Sequence, residues 1–494
     1  MLKKRKSCIW AFLLGICLFF AACGEEAAVQ PSEEEPSSLT YEDTVGMDGV
    51  TDWDKMNQLM GVDASEIETS GEEDEEVPEN VILIAARTKD YSLIYDIVRG
   101  FNKSQSEYRA EIKNYEDRDS MLLDLVKGKG CDILTLTPTY LATLTDKGAL
   151  EDLSPYFEDS EVVDREDLFP CVWETGSVGD RMVGVIPFFK VNAILVEKGY
   201  TENGAWNVDE YLALMDKYPD VPLSGNIMEP ENGWFWVGQE LTEMSESYVD
   251  WDGRTCDFEN ETFIETMEKL KSYLEKCEKL EKSKDDTAVI FNRAASLHQK
   301  QMQTLQVELG CSKYFYNYKQ IRDTFFDAFE LAGYPTQDKT VKYPIQEYDS
   351  SVIWGMNAST EKKEGAWKLL EYMLSGYQQE LAEAWKQDFP VRRDIVEKML
   401  DEEIAADPED MSFSSINSFT GEKDKGRKEF TEEDKGNLLY ILDHATPPSA
   451  MGMLSGSDVW KIYRDEIKVF FEGEKTAEET AHILQNRISL YLSE

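Results

Sequence analysis

From residue 81 onward, segments typical of buried strands alternate with segments typical of helices, and this alternation constrains the fold more than any other feature. The first strand candidate is the apolar run 81–86, whose length suits a strand that is buried on both faces. After it come a helix at 93–101, a strand at 110–115, a helix at 121–126, a strand at 132–136 and a helix at 139–147. Because such helices connect neighbouring strands, the pattern predicts an α/β fold with a mainly parallel sheet.

Further elements are predicted along the rest of the chain. Extended segments are expected at 182–189 and 350–357, and helices at 258–283, 366–374, 458–472 and 477–492. Asn207 with Glu210, and Thr476 with Glu479, have the capping-box spacing that starts a helix. Residues 289–332 are expected to be helical and aromatic, although the pattern does not fix where these helices end.

The first residues have the pattern of an export signal. Four cations, at positions 3–6, precede an apolar run of about 15 residues that is too short to span a bilayer. The run ends in Phe20-Ala21-Ala22-Cys23, which resembles the bacterial lipobox. We therefore expect residues 1–22 to be removed and Cys23 to carry a lipid that holds the chain at the outer face of a membrane. An ordinary cleaved signal with an incidental cysteine is the alternative.

Residues 23–80 are expected to form a disordered acidic tether. Within 24–80 there are 19 acidic residues and one lysine, with several prolines and serines. A folded extension is the alternative, because Trp53, Met56 and Leu59 form a small apolar group. No later apolar stretch approaches the roughly 18 residues that a membrane-spanning helix needs.

The charge of the chain excludes one class of partner. The formal net charge is −47, from 51 basic and 98 acidic residues. We therefore expect no nucleic-acid partner, since phosphate binding needs clustered Lys and Arg.

Catalysis, metals and cofactors are not expected either. No nucleotide-binding, serine-hydrolase or zinc-protease motif is present, and with 98 acids a glycosidase pair cannot be recognised. The cysteines that follow the lipobox are an odd number with wide spacing, so buried free thiols with at most one pair are expected rather than a zinc site or a disulfide framework. These cysteines are at positions 131, 171, 256, 277 and 311.

Several motifs occur together in a particular order. They lie at 101–103, 132–134, 140–156, 183–187, 206–210, 228–236, 333–336, 351–357, 366–367, 389–394 and 485–488. In order and spacing they resemble the extracellular solute-binding proteins of ABC importers, in the large carbohydrate-binding family that includes maltose-binding protein.

The resemblance implies a type II fold of two α/β lobes, each with a mainly parallel sheet, joined by a hinge. Lobe 1 is expected to comprise 81–188 and 352–400, and lobe 2 to comprise 189–351 and 401–494. The hinge would include the segment after Pro187 and the strand at 352–357. A solute would bind between the lobes and stabilise a closed form, which the permease subunits of the transporter recognise. We expect a monomer.

A sugar site needs aromatic rings and planar polar groups, because sugars present hydroxyls together with weakly apolar faces. Tyr140 and Glu229 occupy positions where the family pattern places residues that face the ligand. The ends of the predicted strands in lobe 1 add Arg87, Thr88, Glu116, Asp117 and Thr137, since ligands of such sheets bind at the carboxyl ends of the strands.

Tryptophans are further candidates for the ligand site. Trp234 and Trp236 are expected to contact the ligand from lobe 2, and Trp354 is a candidate that core packing would explain equally well. Two other functions stay open. One is a receptor for a non-sugar solute such as a polyamine or a peptide, and the other is a surface lipoprotein without a role in transport.

Overall fold

The computed structural model describes residues 77–493 apart from several segments. These segments are 88–90, 117, 129, 218–240, 242–243, 252, 282–296, 298–302, 313–314, 347–352, 380–387, 408–413, 418–422, 426–427 and 449–457. Residues 1–76 also lie outside the described part, and with them the expected export signal, Cys23 and almost all of the expected tether.

Strands are distributed over the whole described part. They are β1 Val81–Arg87, β2 Arg109–Tyr115, β3 Ile133–Leu136, β4 Ser177–Val178, β5 Arg181–Met182, β6 Phe188–Phe189, β7 Val191–Glu197, β8 Val249–Asp250, β9 Thr255–Cys256, β10 Leu305–Leu309, β11 Phe329–Ala332, β12 Tyr343–Pro344, β13 Ile353–Met356, β14 Phe389–Pro390, β15 Ser414–Ile416, β16 Lys423–Lys425 and β17 Ala445–Thr446.

Helices alternate with these strands. They are α1 Tyr91–Ser104, α2 Arg118–Val126, α3 Pro138–Asp146, α4 Ser154–Asp159, α5 Pro170–Gly176, α6 Val208–Lys217, α7 Glu261–Glu281, α8 Tyr316–Phe325, α9 Lys363–Leu374, α10 Arg393–Ile404, α11 Glu432–Asp443, α12 Asp458–Phe471 and α13 Ala477–Ser493. None of the described helices is both long enough and apolar enough to cross a bilayer.

The first sheet has the strand order β13-β3-β1-β2. Strand β1 pairs in parallel with β2 and β3, as the alternation of strands and helices predicts. Strand β13 pairs antiparallel with β3. Helices α1 and α9 pack against each other beside this sheet, and α3 packs on β3 and β13. Residues such as Ile82 and Ile84 along β1 are buried in this sheet, which explains why the sequence of the strand is an unbroken apolar run.

The second sheet has the order β10-β7-β11, and both outer strands pair antiparallel with β7. The expected parallel pairing therefore does not extend to the described strands of this sheet. Strands β10 and β11 run in the same direction, with helix α8 in the connection between them, and β7 lies between the two strands and opposes both.

The chain passes between the two sheets along segments that pair with each other. Val185 forms an antiparallel bridge with Trp354, and Val191 forms another with Ile345. Strand β6 pairs with β14, and the amide of Ile345 donates to the carbonyl of Thr446 at 2.9 Å. Strand β6, Val191 and Trp354 lie in the segments where the sequence predicts the hinge, whereas Ile345, β14 and Thr446 lie outside them.

Two hydrophobic clusters hold the described residues together. The first covers the first sheet and extends to one face of the second sheet, where Ala193 and Leu195 of β7 join it. The second lies on the opposite face, where Ile194 and Val196 pack with helices α6, α7, α12 and α13. The alternation along β7 thus distributes its apolar side chains between the two clusters.

The predicted capping boxes are confirmed. The amide of Asn207 donates to Glu210 Oε2 at 2.9 Å, and the amide of Glu210 donates to Asn207 Oδ1 at 2.8 Å, immediately before α6. Before α13, the amide of Thr476 donates to Glu479 Oε2 at 3.0 Å, and the amide of Glu479 donates to Thr476 Oγ1 at 3.2 Å.

Three sequence-based expectations need correction. Residues 289–332 are not helical throughout, because they contain β10 and β11 as well as α8. The tether does not extend to residue 80, since the amide of Arg109 donates to the carbonyl of Asn80 at 2.8 Å. The expected lobe boundary at 400 falls inside helix α10 and would have to move to an end of that helix, whereas the boundary at 188 lies in β6, among the crossing segments.

Candidate functional site

Three neighbouring strands of the first sheet end side by side. Arg87 of β1 lies opposite Tyr115 of β2, and Ala85 of β1 lies opposite Leu134 of β3. The last residue of β3, Leu136, is therefore level with Arg87. Helices α2 and α3 begin within three residues of these strand ends. This edge of a parallel sheet is where polar groups after several strands converge on a ligand.

Thr137 lies between β3 and α3, and its hydroxyl makes no hydrogen bond to the described residues. It occupies the N-cap position of α3 in extended conformation, with φ −100° and ψ 164°, but its side chain makes no capping hydrogen bond. Its Oγ1 atom is shielded from solvent and has no hydrogen-bond partner. A shielded hydroxyl without a partner is costly, and eight other described side chains also have a shielded polar atom in this state, so Thr137 is a candidate because of its place at the strand ends.

Tyr140 is the third residue of α3, one turn from Thr137. It is half-buried and packs against the first hydrophobic cluster. Its backbone is thus fixed by the helix at the strand ends, while part of the side chain stays accessible. A ring held in this way suits an aromatic platform for a ligand.

The end of β2 presents one acidic side chain to solvent. Glu116 is exposed in the bend after the strand. The preceding residue, Tyr115, is buried, and its hydroxyl donates to Asp124 at 3.0 Å and lies 3.8 Å from the Cys131 sulfur. Burial raises the pKa of Tyr115 above its ordinary value and raises the pKa of Cys131 to about 12. Tyr115 and Cys131 are therefore neutral structural groups, and Glu116 is the one available for binding.

Several candidate residues lie outside the described part. Thr88, Asp117, Glu229, Trp234 and Trp236 are not described, and for Arg87 only the backbone at the end of β1 is described.

Trp354 is not a ligand platform in this structure. It is 1% exposed and belongs to the first hydrophobic cluster. Strand β13 pairs with β3 on one edge, and Trp354 itself bridges to Val185 on the other. Because neighbours cover the ring on every side, its role is core packing, which was the alternative interpretation of its sequence position.

Sequence reasoning missed a charged cluster at the crossing segments. Lys190, between β6 and β7, forms ion pairs with Glu308 of β10 at 2.6 Å and with Asp388 at 3.6 Å. Burial opposes the charge, but the two carboxylates raise the pKa of Lys190 overall, so it stays a cation. The three residues are far apart in the sequence, and no pattern in the chain brings them together.

Metal binding finds no support in the described residues. Among them, no group of three or more His, Cys, Asp or Glu side chains is arranged to hold a metal ion. Cys131 and Cys171 are free and buried, and Cys256 is free and half-buried.

The fold and this strand-end site define a binding protein with two sheets joined by crossing segments. Residues 97–412 match the family of bacterial extracellular solute-binding proteins, and the chain belongs to that family. Members of the family bind solutes, so the protein is not an enzyme. A comparison with curated protein sequences gives no match.

Solved structures support the same fold. The sugar-binding protein MalE from Xanthomonas citri superposes with a TM-score of 0.53 at 15% identity, over 84% of this chain and 97% of that chain. An ABC substrate-binding protein from Listeria monocytogenes, solved in complex with cycloalternan, gives a TM-score of 0.51 at 12% identity, over 84% and 99% of the two chains. At these identities the comparison establishes the type II solute-binding fold.

Proposed function

We propose that the protein captures a sugar or an oligosaccharide in a cleft beside the strand ends of the first sheet and delivers it to the permease of an ABC transporter. The observation that carries this proposal is the shielded, unpartnered hydroxyl of Thr137 at the start of α3. It lies beside the half-buried ring of Tyr140, in a chain of the solute-binding family.

The chemistry of the strand ends suits a polyhydroxylated ligand. A sugar hydroxyl can both donate to and accept from Thr137 Oγ1, while the apolar face of a sugar ring can stack on Tyr140. Glu116 would accept hydrogen bonds from further hydroxyls, together with Arg87 and Asp117. From the opposite side, Glu229, Trp234 and Trp236 would complete the cleft. The two solved relatives named above are described as sugar-binding or as bound to cycloalternan, which supports this ligand class.

Closure would take place about the crossing segments. Val185 with Trp354, and Val191 with Ile345, are the paired positions where the chain passes between the sheets. We propose that these segments form the hinge between lobe 1 and lobe 2, and that a ligand with contacts to both lobes shifts the population toward the closed form.

The protein would act at the cell surface as a monomer held by a lipid on Cys23. The acidic segment after Cys23 would separate the folded part from the membrane, since like charges extend a flexible chain. Replacing Cys23 with Ser tests this part of the proposal. We expect the variant to leave the membrane fraction of expressing cells and appear in the medium, and retention in the membrane would contradict lipid anchoring.

The acidity of the chain supports one alternative ligand class, namely a polyamine or another cation. Thermal unfolding of the purified protein with maltotriose, other oligosaccharides, spermidine and short peptides distinguishes the classes, because a ligand at 100 times its Kd stabilises by about 2.7 kcal/mol. We expect an oligosaccharide to raise the midpoint. A rise with spermidine alone would overturn the sugar assignment, and no response to any solute would favour a surface lipoprotein without a transport role.

A further inference from the structure

One ion pair joins parts of the fold that belong to different hydrophobic clusters. The Arg254 guanidinium donates to Asp146 Oδ2 at 2.5 Å, and the two residues are 108 positions apart in the sequence. Both side chains are 55% exposed. The pair therefore lies at the surface.

The two partners are carried by different sheets. Asp146 is the last residue of α3, which packs on β3 and β13 of the first sheet and buries Leu141 and Leu144 in the first cluster. Arg254 lies in the turn between β8 and β9, next to Val249 of the second cluster, and β9 packs on α13. The pair thus connects the helix that carries Thr137 and Tyr140 to the body on the far face of the second sheet.

The turn that carries Arg254 is shaped by a specific contact. The amide of Gly253 donates to Asp250 Oδ1 at 2.8 Å. A Cβ at Gly253 would lie 2.3 Å from Asp250 Oδ2, so a larger residue here would require this carboxylate to shift. Arg254 follows with φ +53°, in the left-handed region that most side chains avoid. Such a conformation persists only where the surroundings hold it, so the backbone at Arg254 is constrained by the turn.

We propose that Arg254 and Asp146 form a latch that stabilises the closed arrangement of the two lobes. This inference rests on the proposed closure about the crossing segments, because a latch has a role only if the lobes move. Both lobes belong to an acidic chain, so closure brings like charges together, and a cation from one lobe against a carboxylate of the other offsets part of this repulsion. The latch favours the closed form without touching the ligand.

The size of the effect follows from the exposure of the pair. Exposed ion pairs change an equilibrium by about five-fold at most, and salt weakens them. The latch therefore adjusts the balance between open and closed forms rather than fixing it. Such a modest bias leaves the ligand in control of closure.

The test compares Arg254→Gln, Asp146→Asn and the double variant with the wild type, in the purified full chain. Lys217→Gln is the matched control, because Lys217 of α6 pairs with Glu197 of β7 at 2.9 Å with 43% exposure on both sides, within one body. In low salt without ligand, small-angle X-ray scattering should give a larger radius of gyration for each single latch variant than for the wild type. The double variant should show the same increase. The difference should vanish at about 1 M salt, where charges are screened within about 3 Å.

Ligand affinity gives the second measurement. The Kd for maltotriose, or for whichever probe raises the unfolding midpoint, should increase by about two- to five-fold in each latch variant and stay unchanged in Lys217→Gln. The charge-exchanged protein Asp146→Arg with Arg254→Asp should recover most of the affinity. An unchanged radius of gyration in Arg254→Gln, or an equal effect in Lys217→Gln, would overturn the latch. Failure of every sugar to bind would overturn the proposed function instead, and the scattering comparison would still decide on the latch.

Discussion

Two threonines at the same helix differ in their hydrogen bonding and allow the binding site to be tested at the scale of single residues. Thr137 Oγ1 has no partner, whereas Thr145 Oγ1 donates to the carbonyl of Leu141 at 2.6 Å. Thr137→Val should weaken sugar binding by about 0.5–1.5 kcal/mol and leave the free energy of unfolding unchanged or slightly increased, because no protein hydrogen bond is lost. Calorimetric titration and urea unfolding measure the two quantities.

Thr145→Val is the control for this prediction. It removes a buried hydrogen bond, so it should lower the free energy of unfolding by about 0.5–1.5 kcal/mol and leave sugar affinity unchanged. If sugar affinity were lost only in Thr145→Val, Thr137 would be excluded from the ligand site.

Tyr140 provides a second prediction at this scale. Tyr140→Ala should weaken sugar binding by about 1–3 kcal/mol, because a stacked ring is lost from a partly desolvated position. Tyr377→Ala is a matched control, since Tyr377 is 62% exposed and lies away from the strand ends, in the segment after α9. Equal affinities of both variants and the wild type, measured by titration, would place the ligand elsewhere.

The sequence predicts some site residues better than others for a physical reason. Thr137 and Tyr140 follow a strand and open a helix, so their place at the sheet edge follows from the order of elements alone. Trp354 could not be placed in this way. A tryptophan in an apolar strand has the same local pattern whether its ring faces a cleft or the core. Only the packing of β13 against β3 and Val185 in the folded chain determines which of the two applies.

At the scale of elements, helices α8, α10 and α11 are tied together by buried charges. Lys319 of α8 donates to the carboxylate of Glu403 in α10 and to the carbonyl of Lys428 at 2.7 Å, and both charged side chains are almost fully buried. Arg322, also in α8, pairs with Asp434 of α11 at 2.6 Å. Burial makes the loss of a single partner costly, since the remaining charge has no solvent to compensate it.

The buried pair leads to a stability prediction. Glu403→Gln should lower the free energy of unfolding by about 3–5 kcal/mol, because it removes the carboxylate that neutralises Lys319. Asp96→Asn should change it by less than about 1 kcal/mol, since the Asp96–Arg99 pair is exposed. Urea unfolding of both variants and the wild type is the measurement, and a similar small loss in both would contradict a structural role for the buried pair.

Most elements of the first sheet follow from the sequence, as do helices α9, α12 and α13, whereas β10, β11 and α11 do not. The alternation Leu305-Gln306-Val307-Glu308-Leu309 has the period of a strand, and it is buried on every second residue, but it lies within a stretch whose composition is typical of aromatic helices. Helix α11 was not predicted, although Thr431 and Asp434 form a capping box before it. Local signals were present in both cases, and the surrounding composition outweighed them.

At the scale of the whole molecule, the two sheets share one hydrophobic cluster and are connected by paired crossing segments. The antiparallel direction of β7 could not be predicted from its own residues, because it depends on where the chain enters the second sheet. The Lys190 cluster and the Arg254–Asp146 pair likewise join residues that are distant in sequence, so they become visible only in the folded chain.

Hydrogen exchange tests the central claim most directly. The purified protein would be compared alone and with the sugar that raises its unfolding midpoint most, with exchange followed along the chain by mass spectrometry. The account predicts slower exchange at residues 139–141, at the start of α3, and at the crossing segment 188–191. Unchanged exchange in both segments, with protection elsewhere in the chain, would contradict capture of a sugar at the strand ends of the first sheet.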